Sequence, residues 1–205
     1  MTPAPLDQVA RYYESKLAAH GATPAGVDWS SEQSQTVRFE QFAGLMNDRE
    51  TSILDYGCGY GAHLDFLRRH GHLGAYTGFD AAPAMIEAAT ALHAGDSRAT
   101  FVSRRDALGV SDVTVASGIF NVRLSTPVED WIKYMHATIG DLASLSRRGF
   151  GFNVLTSYSD ADKRRPDLYY ADPRDVLDYC LGRWPRRVAL IHDYGLYEFT
   201  VTVRL

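Results

Sequence analysis

The run Ser52-Ile-Leu-Asp-Tyr-Gly-Cys-Gly-Tyr-Gly61 constrains the fold of this chain more than any other stretch. A short apolar segment reaches Asp55, and three glycines follow at alternate positions, Gly57, Gly59 and Gly61. A helix-like run, residues 62–70, comes next. A strand that feeds a glycine-rich turn and then a helix can press backbone N–H groups against a ligand, because no Cβ stands in the way. The carboxylate of Asp55 beside the turn disfavours a phosphate there and favours a cationic or amino-bearing ligand.

The rest of the chain alternates around that turn. Strands are expected at residues 52–56, 75–80, 99–103, 113–117 and 149–155, with helices at 62–70, 83–92 and 128–145 between them. A further helix at 173–181 precedes two closing strands, 187–192 and 197–204. Only Asp193-Tyr194-Gly195-Leu196 separates those two, too short for a parallel crossover, so they must be antiparallel. The fold class is therefore α/β, a doubly wound, Rossmann-like sheet of seven mostly parallel strands with an antiparallel last strand. Ahead of the sheet, residues 6–20 place Val9, Tyr12, Tyr13 and Leu17 on one helical face. Ser30 or Ser31 can cap a second helix running to about Met46. Residues 1–48 thus read as a helical lid on a ligand-binding domain at 49–205, one compact unit overall.

Asp55-x-Gly57-x-Gly59-x-Gly61 resembles the first motif of class I S-adenosylmethionine-dependent methyltransferases. The run Ala75-Tyr-Thr-Gly-Phe-Asp80 is similar to the second strand of that family, ending in the acid that grips ribose hydroxyls in nucleotide-binding folds of this kind. The resemblance implies a cofactor site of Asp55, Gly57, Cys58, Gly59, Gly61, Asp80, Ala81, Met85 and Ser117. It also implies Asp106 beside the adenine amino group, with Ala107 among the cofactor-binding residues. Arg38 can reach the methionyl carboxylate, since arginine recognises carboxylates bidentately, with a surface salt bridge as the equal alternative. The implied reaction uses S-adenosylmethionine and releases S-adenosylhomocysteine. Across residues 27–39, 116–121, 152–158 and 192–199 the chain is similar to a group of small bacterial members of the family. No Asn-Pro-Pro-Tyr or Asp-Pro-Pro-Tyr follows the fourth strand, a departure from the amino-methyltransferases of adenine and of protein glutamine.

Two other readings compete. Gly57-x-Gly59-x-x-Ala62 also satisfies the dinucleotide pattern of NAD-dependent oxidoreductases. That reading sets Asp55 against a pyrophosphate and starts the motif some fifty residues into the chain. Alternatively, the fold binds its cofactor without methyl-transfer turnover and acts as a regulatory subunit.

Composition narrows the partners. Of 205 residues, 45% are hydrophobic and 12% aromatic, enough for a full core. A formal charge of −4 offers no basic footprint for nucleic acid. Arg147-Arg148, Lys163-Arg164-Arg165 and Arg186-Arg187 read as solvated charges, with a phosphate-bearing substrate near 163–165 as the alternative. Cys58 and Cys180 make no disulfide framework and fit a reducing cytoplasm. No metal is expected, because the seven histidines lack zinc-site spacing. Neither a leader peptide nor a membrane span is expected. The oligomeric state is not encoded in any visible motif.

On the acceptor side, ligands of doubly wound sheets lie beyond the carboxyl ends of the strands. There the chain offers Asn121, Asn153, Ser157, Tyr158, His192 and Tyr194 as a substrate wall, with Tyr169-Tyr170 closing it, while Tyr13 and Trp29 either cover the cofactor or pack on the domain. His192, Tyr158 and Asn121 are the candidate catalytic groups. His192 leads because its unperturbed pKa is closest to neutrality. The expected acceptor is a small molecule, methylated on oxygen or nitrogen.

Overall fold

The computed structural model describes residues 4–205. Its strands are β1 (Ile53–Tyr56), β2 (Tyr76–Phe79), β3 (Ala99–Val102), β4 (Ser111–Ala116), β5 (Ser146–Leu155), β6 (Val188–Ile191) and β7 (Glu198–Arg204). They form one sheet in the order β3-β2-β1-β4-β5-β7-β6. β1 to β5 pair in parallel, while β7 runs antiparallel to both β5 and β6. The chain winds outward in one direction from β1 and in the other from β4, so a crevice opens where their carboxyl ends part.

Six α-helices flank the sheet: α1 (Ala4–His20), α2 (Glu32–Glu40), α3 (Ala62–Arg69), α4 (Pro83–Leu92), α5 (Val128–Ser144) and α6 (Pro173–Arg183). β1 is buried throughout, and its side chains alternate between two apolar layers. Leu54 and Tyr56 join the layer containing Trp131, Met135, Ile139 and Leu142, a stripe at helical spacing on α5. Ile53 joins the other layer, with Leu64 and Leu67 of α3 and Phe39 of α2. Each fully buried side chain of this size contributes roughly 1.5–3 kcal/mol. Among the described residues, no helix is long and apolar enough to cross a membrane.

α2 is shorter than its apolar spacing suggested. Ser31 caps it, with the Ser34 N–H donating to its hydroxyl, but the helix ends at Glu40 instead of near Met46. The tail tightens into bonds three residues apart, Phe42 N–H to Phe39 O and Leu45 N–H to Phe42 O. Gly44 in that tail is a poor continuation of a helix. The turn drops Phe42 and Leu45 onto Gly149 and Gly151 of β5. A Cβ on Gly151 would stand 2.9 Å from the Phe42 ring.

Asp28, in the connection between α1 and α2, fastens α1 in place. Its carboxylate accepts the Tyr12 hydroxyl at 2.6 Å and the Lys16 ammonium at 2.8 Å, with Arg165 at 3.6 Å. These partners hold its pKa below the ordinary aspartate value despite burial.

Candidate active site

The glycine turn is built by three residues in the left-handed region: φ is 86° at Gly57, 54° at Gly59 and 89° at Gly61. The N–H groups of Gly57 and Cys58 both donate to Phe79 O, which ties the turn to the end of β2. Gly61 starts α3, so the unpaired N–H groups of that first turn face the crevice end of the helix. Cys58 is a filler. It packs against Gly78, and burial pushes its thiol up.

A cavity opens over this turn at the β1/β4 switch point. Asp55, Gly57, Cys58, Gly59, Asp80, Ala81, Met85 and Ser117 line it, together with Gly118 and Ile119 beyond β4. Leu6, Val9, Ala10 and Tyr13 of α1 close one side, and Val27, Trp29, Gln35 and Phe39 another.

Two acids, the buried Asp55 and the half-buried Asp80, give the cavity its polarity. Asp55 Oδ2 accepts the Tyr76 hydroxyl at 2.6 Å, and His63 Nδ1 lies 3.4 Å from the same oxygen. His63 is 2% exposed, stacks on Phe39 and lines the cavity. Its Nε2 has no hydrogen-bond partner among the described residues. Asp80 accepts the Gly59 N–H on Oδ2 and the Ala82 N–H on Oδ1, both at 2.9 Å. Burial outweighs those donors and raises its carboxyl to about 6. A carboxylate has lone pairs left after two such bonds, so Asp80 can still accept hydroxyl donors from a ligand.

Several expected site residues fall elsewhere. Arg38 does not reach the cavity. Its guanidinium is buried against Glu198, with Nε to Oε2 at 2.7 Å and the second nitrogen to Oε1 at 2.9 Å. Asp106 and Ala107 sit in an exposed turn after β3, outside the cavity lining, and Asp106 is ion-paired with Arg104.

The catalytic candidates are displaced as a group. His192 and Tyr158 are exposed neighbours, ring centroids 6.2 Å apart, and neither lines the cavity. The reason is topological: β7 inserts beside β5, so the end of β6 lies at the far edge of the sheet. Asn121 is buried but spent, donating to Glu198 Oε1 and accepting the Leu155 N–H. Asn153 binds the turn after β4, accepting the Gly118 N–H at 2.6 Å and donating to Ser117 Oγ at 3.1 Å. Tyr194 bonds Thr200, Tyr169 packs in the core, and the Tyr170 hydroxyl accepts the Arg165 N–H. Lys163 and Arg165 pair with Asp162 and Asp167, and Arg164 donates to the Ser157 and Ser159 carbonyls.

Tyr13 and Trp29 do line the cavity. His63, Gln35, Ile119 and Tyr134 line it as well, without any sequence signal beyond their apolar or helical surroundings.

A glycine cradle and a strand-end acid at the switch point of a doubly wound sheet define an enzyme that binds a nucleoside-type cofactor. The family described as a methyltransferase domain matches residues 29–195, and the chain belongs to that family. The Mycobacterium tuberculosis strain H37Rv protein Rv1506c, provisionally named a methyltransferase, is 52% identical over 153 residues, covering 75% of this chain and 92% of its own. Among solved structures, the DhpI–S-adenosylhomocysteine complex matches with a TM-score of 0.65 at 12% identity, covering 100% of this chain and 98% of its own. Magnesium protoporphyrin IX methyltransferase of Synechocystis PCC 6803 with bound S-adenosylhomocysteine gives 0.61 at 17% identity, covering 84% of this chain and 83% of its own.

Proposed function

We propose that this methyltransferase uses S-adenosylmethionine to methylate an oxygen or nitrogen of a small-molecule acceptor by direct displacement. The observation that carries the reading is the meeting of Asp55, Asp80 and the glycine turn in one aromatic-walled cavity. Bound S-adenosylmethionine would supply an electrophilic methyl group on a sulfonium and depart as S-adenosylhomocysteine. Asp80 would accept hydrogen bonds from the ribose hydroxyls. Asp55 would offer an acceptor for the amino group of the methionyl end. An NAD pyrophosphate fits less well, because it would lie beside two carboxylates.

The chain's contribution to the reaction is alignment and exclusion of water. Tyr13 and Trp29, with α1, wall one side of the cavity, and residues 4–48 act as the lid; residues 1–3 of the expected lid lie outside the described residues. The acceptor site lies between that lid and Ile119. Its walls are mostly apolar, which suits an acceptor with an apolar body. Tyr13 replaces His192, Tyr158 and Asn121 as the polar group best placed to orient an acceptor. Its hydroxyl makes no bond among the described residues, and burial holds its pKa above the ordinary tyrosine value.

Titration calorimetry with S-adenosylhomocysteine and, separately, NAD tests the cofactor. Saturable binding of the first alone is expected, and binding of NAD alone would replace the reading with an oxidoreductase. Asp80→Ala should weaken S-adenosylhomocysteine by roughly ten- to a hundredfold, the worth of hydrogen bonds to a charged acceptor, with unchanged folding. Equal affinity would remove the ribose assignment.

Asp80 also predicts opposite pH trends for stability and affinity. With its folded pKa near 6 and its unfolded value at 3.8, the folded chain holds a proton that the unfolded chain has released between those values. This group therefore makes the free protein less stable as pH rises through that window. Ribose hydroxyls donate to the ionised form, so affinity should rise as pH rises. A loss of roughly tenfold is expected on going from pH 7 to pH 5. Asp80→Asn should flatten the profile, and a flat profile in the unaltered protein would count against the assignment.

A further inference from the structure

Five arginines that are scattered in the sequence converge at the edge of the sheet opposite the crevice. Arg147 and Arg148 open β5, Arg186 and Arg187 precede β6, and Arg204 ends β7. β7 runs antiparallel to β5 and β6, so its last residues lie beside their first ones. All five residues line one surface cleft with Asn47 and Leu205.

Their protein partners are few. Asp112 lies 3.6 Å from Arg148 Nε and 4.0 Å from Arg147, and Asp48 lies 3.6 Å from Arg148. Asp112 is already engaged by the Ser52 N–H and hydroxyl. Arg204 donates to Gly44 O. The guanidinium groups of Arg186 and Arg187 make no hydrogen bond or ion pair among the described residues, and both are exposed. Arg186 holds a φ of 65°, a conformation that costs a non-glycine residue free energy. Five guanidinium groups facing two carboxylates repel one another, so the cluster is a poor stabilising device. The enclosing protein is net acidic, so the positive charge is local. Arginine forks match phosphate oxygens bidentately, and no lysine takes part.

We propose that this cleft binds a phosphate-bearing ligand of two or more negative charges, remote from the cofactor crevice. The proposal does not depend on the identity of the cofactor. The first test titrates the full chain with inorganic pyrophosphate at low ionic strength. Saturable binding that weakens with added salt is expected. The paired substitution Arg186→Gln/Arg187→Gln should cost at least roughly tenfold in affinity and should hold or raise the melting temperature, since neither side chain bonds to the protein and two repelling charges are removed. Vesicles carrying phosphatidylinositol bisphosphate, set against pure phosphatidylcholine, distinguish a lipid headgroup from a free phosphate: capture by the former alone, competed by pyrophosphate, names the headgroup. No pyrophosphate binding and no vesicle capture would overturn the proposal. So would binding that survives the paired substitution, or pyrophosphate displaced by S-adenosylhomocysteine, which would place the anion in the crevice.

Discussion

Gly57→Ala should disable cofactor binding and lower stability together. A Cβ at this position would stand 2.2 Å from Ile119 Cγ2, and the backbone φ is 86°. The left-handed conformation costs a non-glycine residue about 1–3 kcal/mol. Overpacking against Ile119 adds about 1–3 kcal/mol. The sum of about 2–6 kcal/mol should lower the melting temperature by roughly 4–24 °C in a chain of this size. Ile119 is itself a cavity wall, so relief of the clash shifts that wall and turns the cradle N–H groups away from the ligand. A loss of roughly thirtyfold or more in S-adenosylhomocysteine affinity is expected if about 2 kcal/mol of that strain is carried in the bound state. Gly95→Ala is the control, because its Cβ meets nothing within 4 Å. It should stay within about 0.5 kcal/mol of the parent. Gly57→Ala/Ile119→Ala separates the two costs. Recovery in the double variant assigns the loss to the clash, whereas none assigns it to the backbone. Wild-type melting and affinity in Gly57→Ala would refute both costs.

What the sequence made legible is local. The strand, the alternate glycines and the acid one strand–helix–strand unit later are short-range patterns, and the turn they predict places Asp55, Asp80, Ala81 and Met85 around one cavity. The two apolar closing strands announced an antiparallel pair, which the sheet contains. What stayed hidden depends on order in space. Nothing near His192 reveals that β7 slots between β5 and β6, and that insertion carries His192 away from the crevice. Asp106 comes after the third strand as expected, but the short turn at Arg105–Ala107 leaves it exposed beside Arg104. His63 is one of seven histidines without zinc-site spacing, and only the folded chain shows it lining the cavity with its second nitrogen unpartnered among the described residues. Arg147-Arg148 and Arg186-Arg187 look like separate solvated pairs until the antiparallel strand brings Arg204 between them.

Arg38 is the most consequential of these reassignments, because its partner is 160 residues away. Glu198 is 1% exposed and takes both a forked guanidinium and the Asn121 amide. The same guanidinium lies 3.8 Å above the ring of Trp29, and that ring packs on Gly118 and lines the cavity. The start of β7 therefore sets the position of a cavity wall through Arg38. Glu198→Gln keeps the volume of the side chain but leaves Arg38 buried without a counter-charge. Removing one partner of a buried pair costs about 3–5 kcal/mol, which corresponds to a fall of roughly 6–20 °C in melting temperature. Replacing both partners with apolar groups removes the uncompensated charge, so Arg38→Met/Glu198→Leu should be more stable than either single variant. The double variant also separates two roles for Arg38. If Arg38 only braces Trp29, S-adenosylhomocysteine should still bind the double variant within roughly tenfold of the parent, the scale of a lost cation–π contact. If Arg38 instead clamped the methionyl carboxylate, that binding would collapse while the fold survived, and the bracing role would have to be abandoned.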